Sequence, residues 1–185
     1  MAELRIVAGA WRGRRIKVPP KGVRPTADRV REAWMSIVQR DIPDAAVVDL
    51  CAGSGALGLE ALSRGAVSCD FVEKDARTLQ VLDANIAALG AGETARVHRA
   101  EALRFLESAS LQVGDAPTWQ LAFADPPYRE GIAEALAARW LAAPFAAIFG
   151  VEHEATLTLP EASGSAGSER RVYGDTALTL YRTTD

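Results

Sequence analysis

The stretch FADPPYREG, residues 123 to 131, sets an acid, two prolines and an aromatic ring directly behind an apolar run. Pro126 and Pro127 fix φ and remove two backbone donors, so the turn is stiff and its carbonyl oxygens are left to accept hydrogen bonds. Asp125 adds a charged acceptor, and Tyr128 offers a flat face on which a base can stack for about 1–3 kcal/mol. Two acceptors aimed at one NH₂ suit an exocyclic amine, whose lone pair is conjugated with its ring and is a poor nucleophile. Accepting its protons rehybridises the nitrogen and turns the lone pair toward an electrophile, so positioning and electrostatics carry the catalysis. The competing reading is a proline-stiffened turn with a surface tyrosine.

A second stretch, VVDLCAGSGALG, places Gly53, Gly55 and Gly58 behind Asp49 at the end of an apolar run. Glycines at a strand-to-helix turn let the backbone bend sharply and let a ligand approach the main chain. The letters also satisfy the dinucleotide fingerprint, with Glu73 at the end of the next apolar run as its ribose partner, so an oxidoreductase is one reading. Asp49 argues against it, because an acid four residues before the first glycine is poorly suited to a pyrophosphate. It suits a cation instead. S-adenosylmethionine carries a sulfonium and an ammonium, so Asp49, the glycine turn and a ribose-binding Glu73 form a consistent set. Glu101 opens a later helix and either accepts from the adenine amine or simply places a charge at a helix N-terminus. Ala52 and Leu57 read as packing.

These groups need a frame. From Ala45 onward AAVVDL, SCDFVEKD, TARVHRA, WQLAFADPP and PFAAIFGVEH read as strands. Between them ALGLEALSRG, ARTLQVLDANIAALG, EALRFLESA and EGIAEALAARWLA read as helices, the first closed by Gly65 and the second by Gly90. Strict alternation implies a mostly parallel sheet covered on both faces. ERRVYG and TALTLYR follow as late strands with no helix between them, which implies an antiparallel hairpin at one edge; the polar LPEASGSAGSE before them reads as a mobile loop. Ahead of the sheet, Leu4 to Val7 and Arg14 to Val18 form a predicted hairpin joined through Gly9 and Gly13. A helix follows over ADRVREAWMSIV, with Thr26 and Asp28 as N-capping candidates. Trp34, Trp119 and Trp140 sit at apolar spacings and read as core, and His98 and His153 as satisfied structural histidines.

The 185 residues suit one domain with a small appendage, divided as a basic arm over 1–22 and a main domain over 23–185. The net charge of −3 hides an asymmetry: the first forty residues hold ten Lys and Arg against three Asp and Glu, the remainder eleven against twenty-one. A basic arm on an acidic body points to an anionic partner, most often nucleic acid. Arg5, Arg12, Arg14, Arg15 and Lys17, with Trp11, mix cations and an aromatic in the way RNA contacts require, while Trp11 equally reads as a packing anchor. Arg24, Thr26, Arg29 and Arg31 lie between arm and domain, placed to border the cofactor site or RNA phosphates. Cys51 and Cys69 stand apart in apolar segments, suggesting neither a disulfide nor a metal motif and fitting a reducing cytoplasm. No run has the length of a signal peptide core or a membrane span.

Taken in order, RIVAGAWRGRRIKVP, RPTADRVREAWMSIV, VVDLCAGSGALGLEALSRGA, VEKD and FADPPYREG resemble the RsmD family, within the class I S-adenosylmethionine-dependent methyltransferases. The resemblance covers nearly the whole chain. It implies a Rossmann-like α/β domain whose seven-stranded, mostly parallel sheet has an antiparallel last strand, behind a small N-terminal β-hairpin. It further implies methyl transfer from S-adenosylmethionine to guanine N2 in 16S ribosomal RNA of the assembling small subunit, by a monomer and without metal. Asp125, Pro126, Pro127 and Tyr128 would bind and activate the guanine. Asp49, Cys51, Gly53, Gly55, Glu73, Lys74, Glu101 and Ala102 would bind the cofactor. Arg5, Trp11, Arg12, Arg14, Arg15, Lys17, Arg24 and Arg29 would meet RNA. Some relatives carry Phe where this chain has Tyr128, a change that preserves stacking. Two rivals stand beside this reading: an adenine-N6 DNA methyltransferase, since D-P-P-Y serves that amine too, and an RNA-binding assembly factor that has lost the chemistry.

Overall fold

The structure is a computed structural model that describes residues 2–19, 25–109, 112–113, 116–128, 130–164 and 166–184. Its elements run β1 (Ala2–Arg5), β2 (Arg15–Val18), α1 (Pro25–Ile37), β3 (Ala46–Asp49), α2 (Ala56–Ser63), β4 (Ser68–Glu73), α3 (Ala76–Leu89) and β5 (Ala95–Arg99). Then come α4 (Ala102–Ser108), β6 (Gln112–Val113), β7 (Ala116–Pro117), β8 (Trp119–Ala124), α5 (Ile132–Ala142), β9 (Ala146–Glu154), β10 (Ala166–Tyr173) and β11 (Thr176–Thr183).

Seven strands form one sheet in the order β10-β11-β9-β8-β3-β4-β5. β9, β8, β3, β4 and β5 pair in parallel, whereas the last strand, β11, runs antiparallel to both β9 and β10. Residues along each strand alternate between two cores. Val47, Phe71, Leu121 and Phe123 face the core shared with α1, α2, α3 and the hairpin, while Val48, Val72, Ala122 and Ala124 face the one shared with α4 and α5. Both faces are therefore buried, which is why these strands read as continuous apolar runs. β3 is flanked by β4 on one side and β8 on the other, so the chain reverses its direction of travel across the sheet between β3 and β8. Ligands in open α/β sheets bind at that switch, beyond the strands' carboxyl ends.

Three expectations change. α1 begins at Pro25, ahead of Thr26 and Asp28, as suits proline at a first helical position; Asp28 then stands inside the first turn, where its charge complements the helix N-terminus. β10 reaches back to Ala166, into the segment expected as loop, because its backbone pairs with β11 as far as Thr183. The short antiparallel pair β6 and β7 was not anticipated, being two residues on each side. The division after residue 22, like Arg24, lies outside the described residues.

The hairpin is docked rather than free. β1 and β2 pair from Ala2 with Val18 to Arg5 with Arg15, and Ile6 and Ile16 are buried in the α1–α3 core. Val7 leaves the predicted strand because Glu60 of α2 takes its amide: Oε2 accepts from Val7 N–H at 2.9 Å and Oε1 from Ala8 N–H at 3.1 Å. Ser63 adds three more bonds, its Oγ accepting from Trp11 N–H and donating to Ala8 O, its carbonyl accepting from Ala10 N–H. Gly9 is required there: φ is +83°, and a Cβ would lie 1.7 Å from Ser63 O. On the other side Asn85 of α3 clamps Lys17, accepting from its N–H and donating to its carbonyl, both at 2.8 Å.

Candidate active site

A cavity of about 1090 Å³ opens at the carboxyl ends of β3, β4 and β8 and is walled on one side by Leu4, Val18 and Pro19 of the hairpin. The two stretches that opened the sequence reading meet in it. Asp49 ends β3, Glu73 ends β4, Glu101 precedes α4, and Asp125 to Tyr128 follow β8. All of them line the cavity, together with Cys51, Gly53, Lys74 and Ala102. Gly55, the N-cap of α2 with φ of +85°, is not among the lining residues, although its neighbours Ser54 and Ala56 are.

Gly55 brings no side chain to the start of α2, and Asp49 supplies the missing acceptor from the preceding strand: Oδ2 accepts from Gly58 N–H at 3.1 Å. Gly58 also lets α2 pack closely on β4, since a Cβ there would fall 2.4 Å from the Phe71 ring. Asp49 is 1 % exposed, and its other oxygen, Oδ1, has no partner among the described residues. Burial raises its carboxyl to about 7, with the charges of Asp125 and Glu73 adding to the effect and the Gly58 hydrogen bond opposing it. A buried, half-satisfied acid at a ligand-sized cavity is suited to a cationic group.

Glu73 ties the glycine turn to the start of α3, Oε2 accepting from Gly53 N–H at 3.0 Å and Oε1 from Asp75 N–H at 2.8 Å. Glu101 is the N-cap of α4, accepting from Leu103 and Arg104 amides at 3.4 and 3.3 Å. Both bonds are long, so the carboxylate both caps the helix and faces the cavity. Lys74 is exposed and reaches across to Glu130, just beyond the proline turn, at 3.2 Å; that hydrogen bond raises its pKa. The Cys51 thiol is pushed up by burial and then by Asp49, so it stays protonated and packs as an apolar group.

At the corner after β8, Pro126 is buried and Asp125 and Pro127 are exposed. Tyr128 is half-buried and anchored through its hydroxyl, which donates to Glu152 Oε1 at 2.9 Å and lies 2.8 Å from Thr176 Oγ1. Burial raises its pKa, so the phenol keeps its proton. Glu152 and Thr176 were missed by the sequence reading. The available signal was the polar Glu152, His153 and Glu154 closing the apolar run of β9. Burial, and then the charge of Asp125, raise the Glu152 carboxyl to about 8. Below the corner Trp34 packs edge-on to Phe123, centroids 5.0 Å apart at 72°, and fills the space above Gly150. The core readings of Trp34, Trp119 and Trp140 hold, all three being buried. His98 pairs with Asp70 at 2.7 Å and His153 with Thr179 at 2.8 Å.

The basic residues divide. Arg5, Arg15 and Lys17 share the outward face of the hairpin with Glu3, which pairs with Arg15 at 3.1 Å. Arg5 lies directly opposite Arg15 in the ladder, a like-charge pairing that costs stability and leaves a cationic surface. Arg12, on the connecting turn, and Arg29, on α1, are exposed. Arg14 instead donates to Ala88 O in the last turn of α3, a favourable place for a cation. Trp11 is packed against the α1–α3 core, the anchoring alternative. Arg31 is buried and donates to Arg5 O at 3.3 Å while pairing with Asp28, which makes it a link between α1 and the hairpin.

The family model described as "Conserved hypothetical protein 95" matches residues 4–182. The chain is 39 % identical over 187 residues to "Ribosomal RNA small subunit methyltransferase D" of Escherichia coli strain K12, covering 97 % of this chain and 90 % of that protein. It is 32 % identical over 184 residues to "Putative rRNA methyltransferase YlbH" of Bacillus subtilis, covering 97 % and 98 %. Among solved structures, "Putative methyltransferase yhhF from Escherichia coli" superposes with a TM-score of 0.84 at 37 % identity, over 99 % of both chains.

Proposed function

Because the chain belongs to the RsmD family of methyltransferases, we propose that it methylates the exocyclic N2 of a guanine in 16S ribosomal RNA of the assembling small subunit. The observation that carries the reading is that the amine corner and the glycine turn line one cavity, which the buried acid Asp49 lines as well.

S-adenosylmethionine, when bound, supplies a methyl group on a sulfonium, a leaving group good enough that the step draws on no metal. Asp49 and Glu73 would hold its cationic and ribose ends, Glu101 its adenine amine, and Gly53, Cys51 and Ala102 the surface against which it lies, with Gly55 shaping the turn behind them. Lys74, paired with Glu130 across the mouth, would help exclude water. Asp125 and the Pro126 carbonyl accept hydrogen bonds from the two N2–H groups and turn the nitrogen lone pair toward the methyl group, one of the two protons passing to Asp125 or to solvent when the nitrogen is methylated, while Pro127 keeps the turn stiff and Tyr128 stacks on the base. Because N2 inside a helix is out of reach, the guanine must be presented unstacked.

The cavity wall is strongly acidic, so RNA phosphates need another place. The outward face of the hairpin, with Arg5, Arg15 and Lys17, and the exposed Arg12 and Arg29 are suited to them; Arg24, outside the described residues, belongs to the proposed RNA-binding set by its sequence alone. Arg14 and Trp11 contribute by holding the hairpin in place. The reading has the protein act as a monomer in the cytoplasm; among the described residues no helix is long and apolar enough to cross a membrane.

The test is transfer of labelled methyl from S-adenosylmethionine to undermethylated small subunits, naked ribosomal RNA and duplex DNA, followed by nucleoside digestion. Label in N2-methylguanosine is the expected result. Label in N6-methyladenine of DNA would replace the reading with the DNA enzyme, and binding of cofactor and RNA without label would replace it with an assembly factor.

A further inference from the structure

Beside the amine corner stands a carboxylate that the D-P-P-Y stretch does not contain. The parallel register of β8 and β9 pairs Phe123 with Gly150 and Ala124 with Val151, so the next step along both strands brings Asp125 level with Glu152. Both side chains line the same cavity. Their proximity is felt electrostatically, since the charge of Asp125 is the largest influence after burial that raises the Glu152 carboxyl.

Glu152 is also held in orientation. Its Oε1 accepts from the Tyr128 hydroxyl at 2.9 Å, and that hydroxyl is fixed from its other side by Thr176 at 2.8 Å. Oε2 has no partner among the described residues and is not sealed from the cavity. The ring that would stack on the base and the second acid are thus locked to each other, one step away from the first acid.

The geometry points to Glu152 as the residue that makes the acceptor pocket select guanine, its free oxygen accepting from N1–H while Asp125 takes the adjacent N2 amine. This inference rests on the proposed transfer to N2. The chemistry of the base edges supplies the reason. In guanine the N2 amine is neighboured by N1–H, so two acceptors side by side meet two donors. In adenine the N6 amine is neighboured by the unprotonated N1, whose lone pair would face the Glu152 oxygen. With Glu152 ionised, as it is above about pH 8, the pocket would gain a hydrogen bond with one base and a repulsion with the other, so the preference between bases is read above that pH. A ring N–H entering beside the two acids also favours the ionised form of Glu152 and offsets the repulsion between them.

The experiment uses small-subunit particles reconstituted with ribosomal RNA carrying guanosine or 2-aminopurine at the target position. 2-Aminopurine keeps an N2 amine but presents an unprotonated N1. The wild-type protein is expected to transfer methyl to guanosine roughly ten- to a hundredfold better in kcat/KM. Glu152→Gln, whose amide oxygen still accepts from Tyr128 and whose NH₂ can donate to an unprotonated N1, should lower the guanosine rate by a similar factor and bring the ratio toward one. Cofactor affinity should not change, which separates base selection from a structural effect. Equal wild-type rates on the two substrates overturn the inference, and so does an unchanged ratio in the variant. If Glu152→Gln does not fold, the wild-type ratio decides alone. Wild-type label on N6 of adenosine, with none on any guanine N2, would overturn the proposed function itself rather than this refinement.

Discussion

Asp49 Oδ2 accepts from Gly58 N–H at 3.1 Å across the first turn of α2, and its Oδ1 is buried without a partner among the described residues. One carboxylate therefore caps a helix that begins with glycine, while the residue lines the cavity and its second oxygen stays buried and unused. The same burial that frees Oδ1 raises the carboxyl to about 7.

The pH dependence follows from that rise. Because the folded-state pKa lies above the unfolded one, ionisation of Asp49 opposes folding; its contribution favours the folded state as pH falls from about 7 toward the ordinary aspartate range. A cationic ligand requires the ionised form. S-adenosylmethionine affinity should fall toward tenfold per pH unit below about 7, and Asp49→Asn should flatten this profile while weakening binding. Calorimetric titration from pH 5.5 to 8.5 measures both, and a flat wild-type profile would remove Asp49 from the cofactor site.

Asp125→Ala removes the proposed charged acceptor for the amine but no strand pairing. Transfer should drop by about a hundred- to a thousandfold, the range seen when one preorganised polar group is removed from a reacting centre. Cofactor affinity should stay near the wild-type value. Single-turnover rates and equilibrium binding, measured on one preparation, distinguish this from general damage; survival of transfer would show that the corner does not do the chemistry.

Alanine at Arg5, Arg15 and Lys17 together clears the outward hairpin face without touching its buried side, and relieves the opposed pair of arginines. RNA affinity should fall, and the slope of log K against log salt should flatten by about one for each phosphate that is no longer neutralised. Stability should change little or rise slightly. Filter binding across a salt series is the measurement, and an unaltered slope would exclude this face from RNA binding.

Glu60 is 1 % exposed and accepts from the amides of Val7 and Ala8 and from Arg64. Glu60→Ala strands two backbone donors at the hairpin dock and should cost about 2–4 kcal/mol, seen as a lowered melting temperature. Gly9→Ala should be at least as damaging, because its backbone region and its closeness to Ser63 O both exclude a side chain. A melting temperature unchanged in both variants would mean that the hairpin is not held as described.

Much of this was legible along the chain because the signals are local. Strand-to-helix alternation, the glycine turn after Asp49, the stiff prolines after Asp125 and the acids at strand ends are properties of a few adjacent residues, and the parallel sheet then has to bring its strands' carboxyl ends to one edge. The dock of the hairpin was not legible, since Glu60 and Ser63 look like ordinary polar positions on α2 and reach residues 52 to 55 positions away. Nor was the division of the basic arm, in which Arg14 serves the end of α3 while Arg5 and Arg15 stay outward. Glu152 and Thr176 stand 24 and 48 residues from the tyrosine they hold. Residue type and spacing determined the kind of chemistry the two stretches suit; only the register of β8 against β9, and β11 inserted beside β9, decided which further side chains stand beside the D-P-P-Y corner, because pairing between distant strands is set by the packing of the whole sheet.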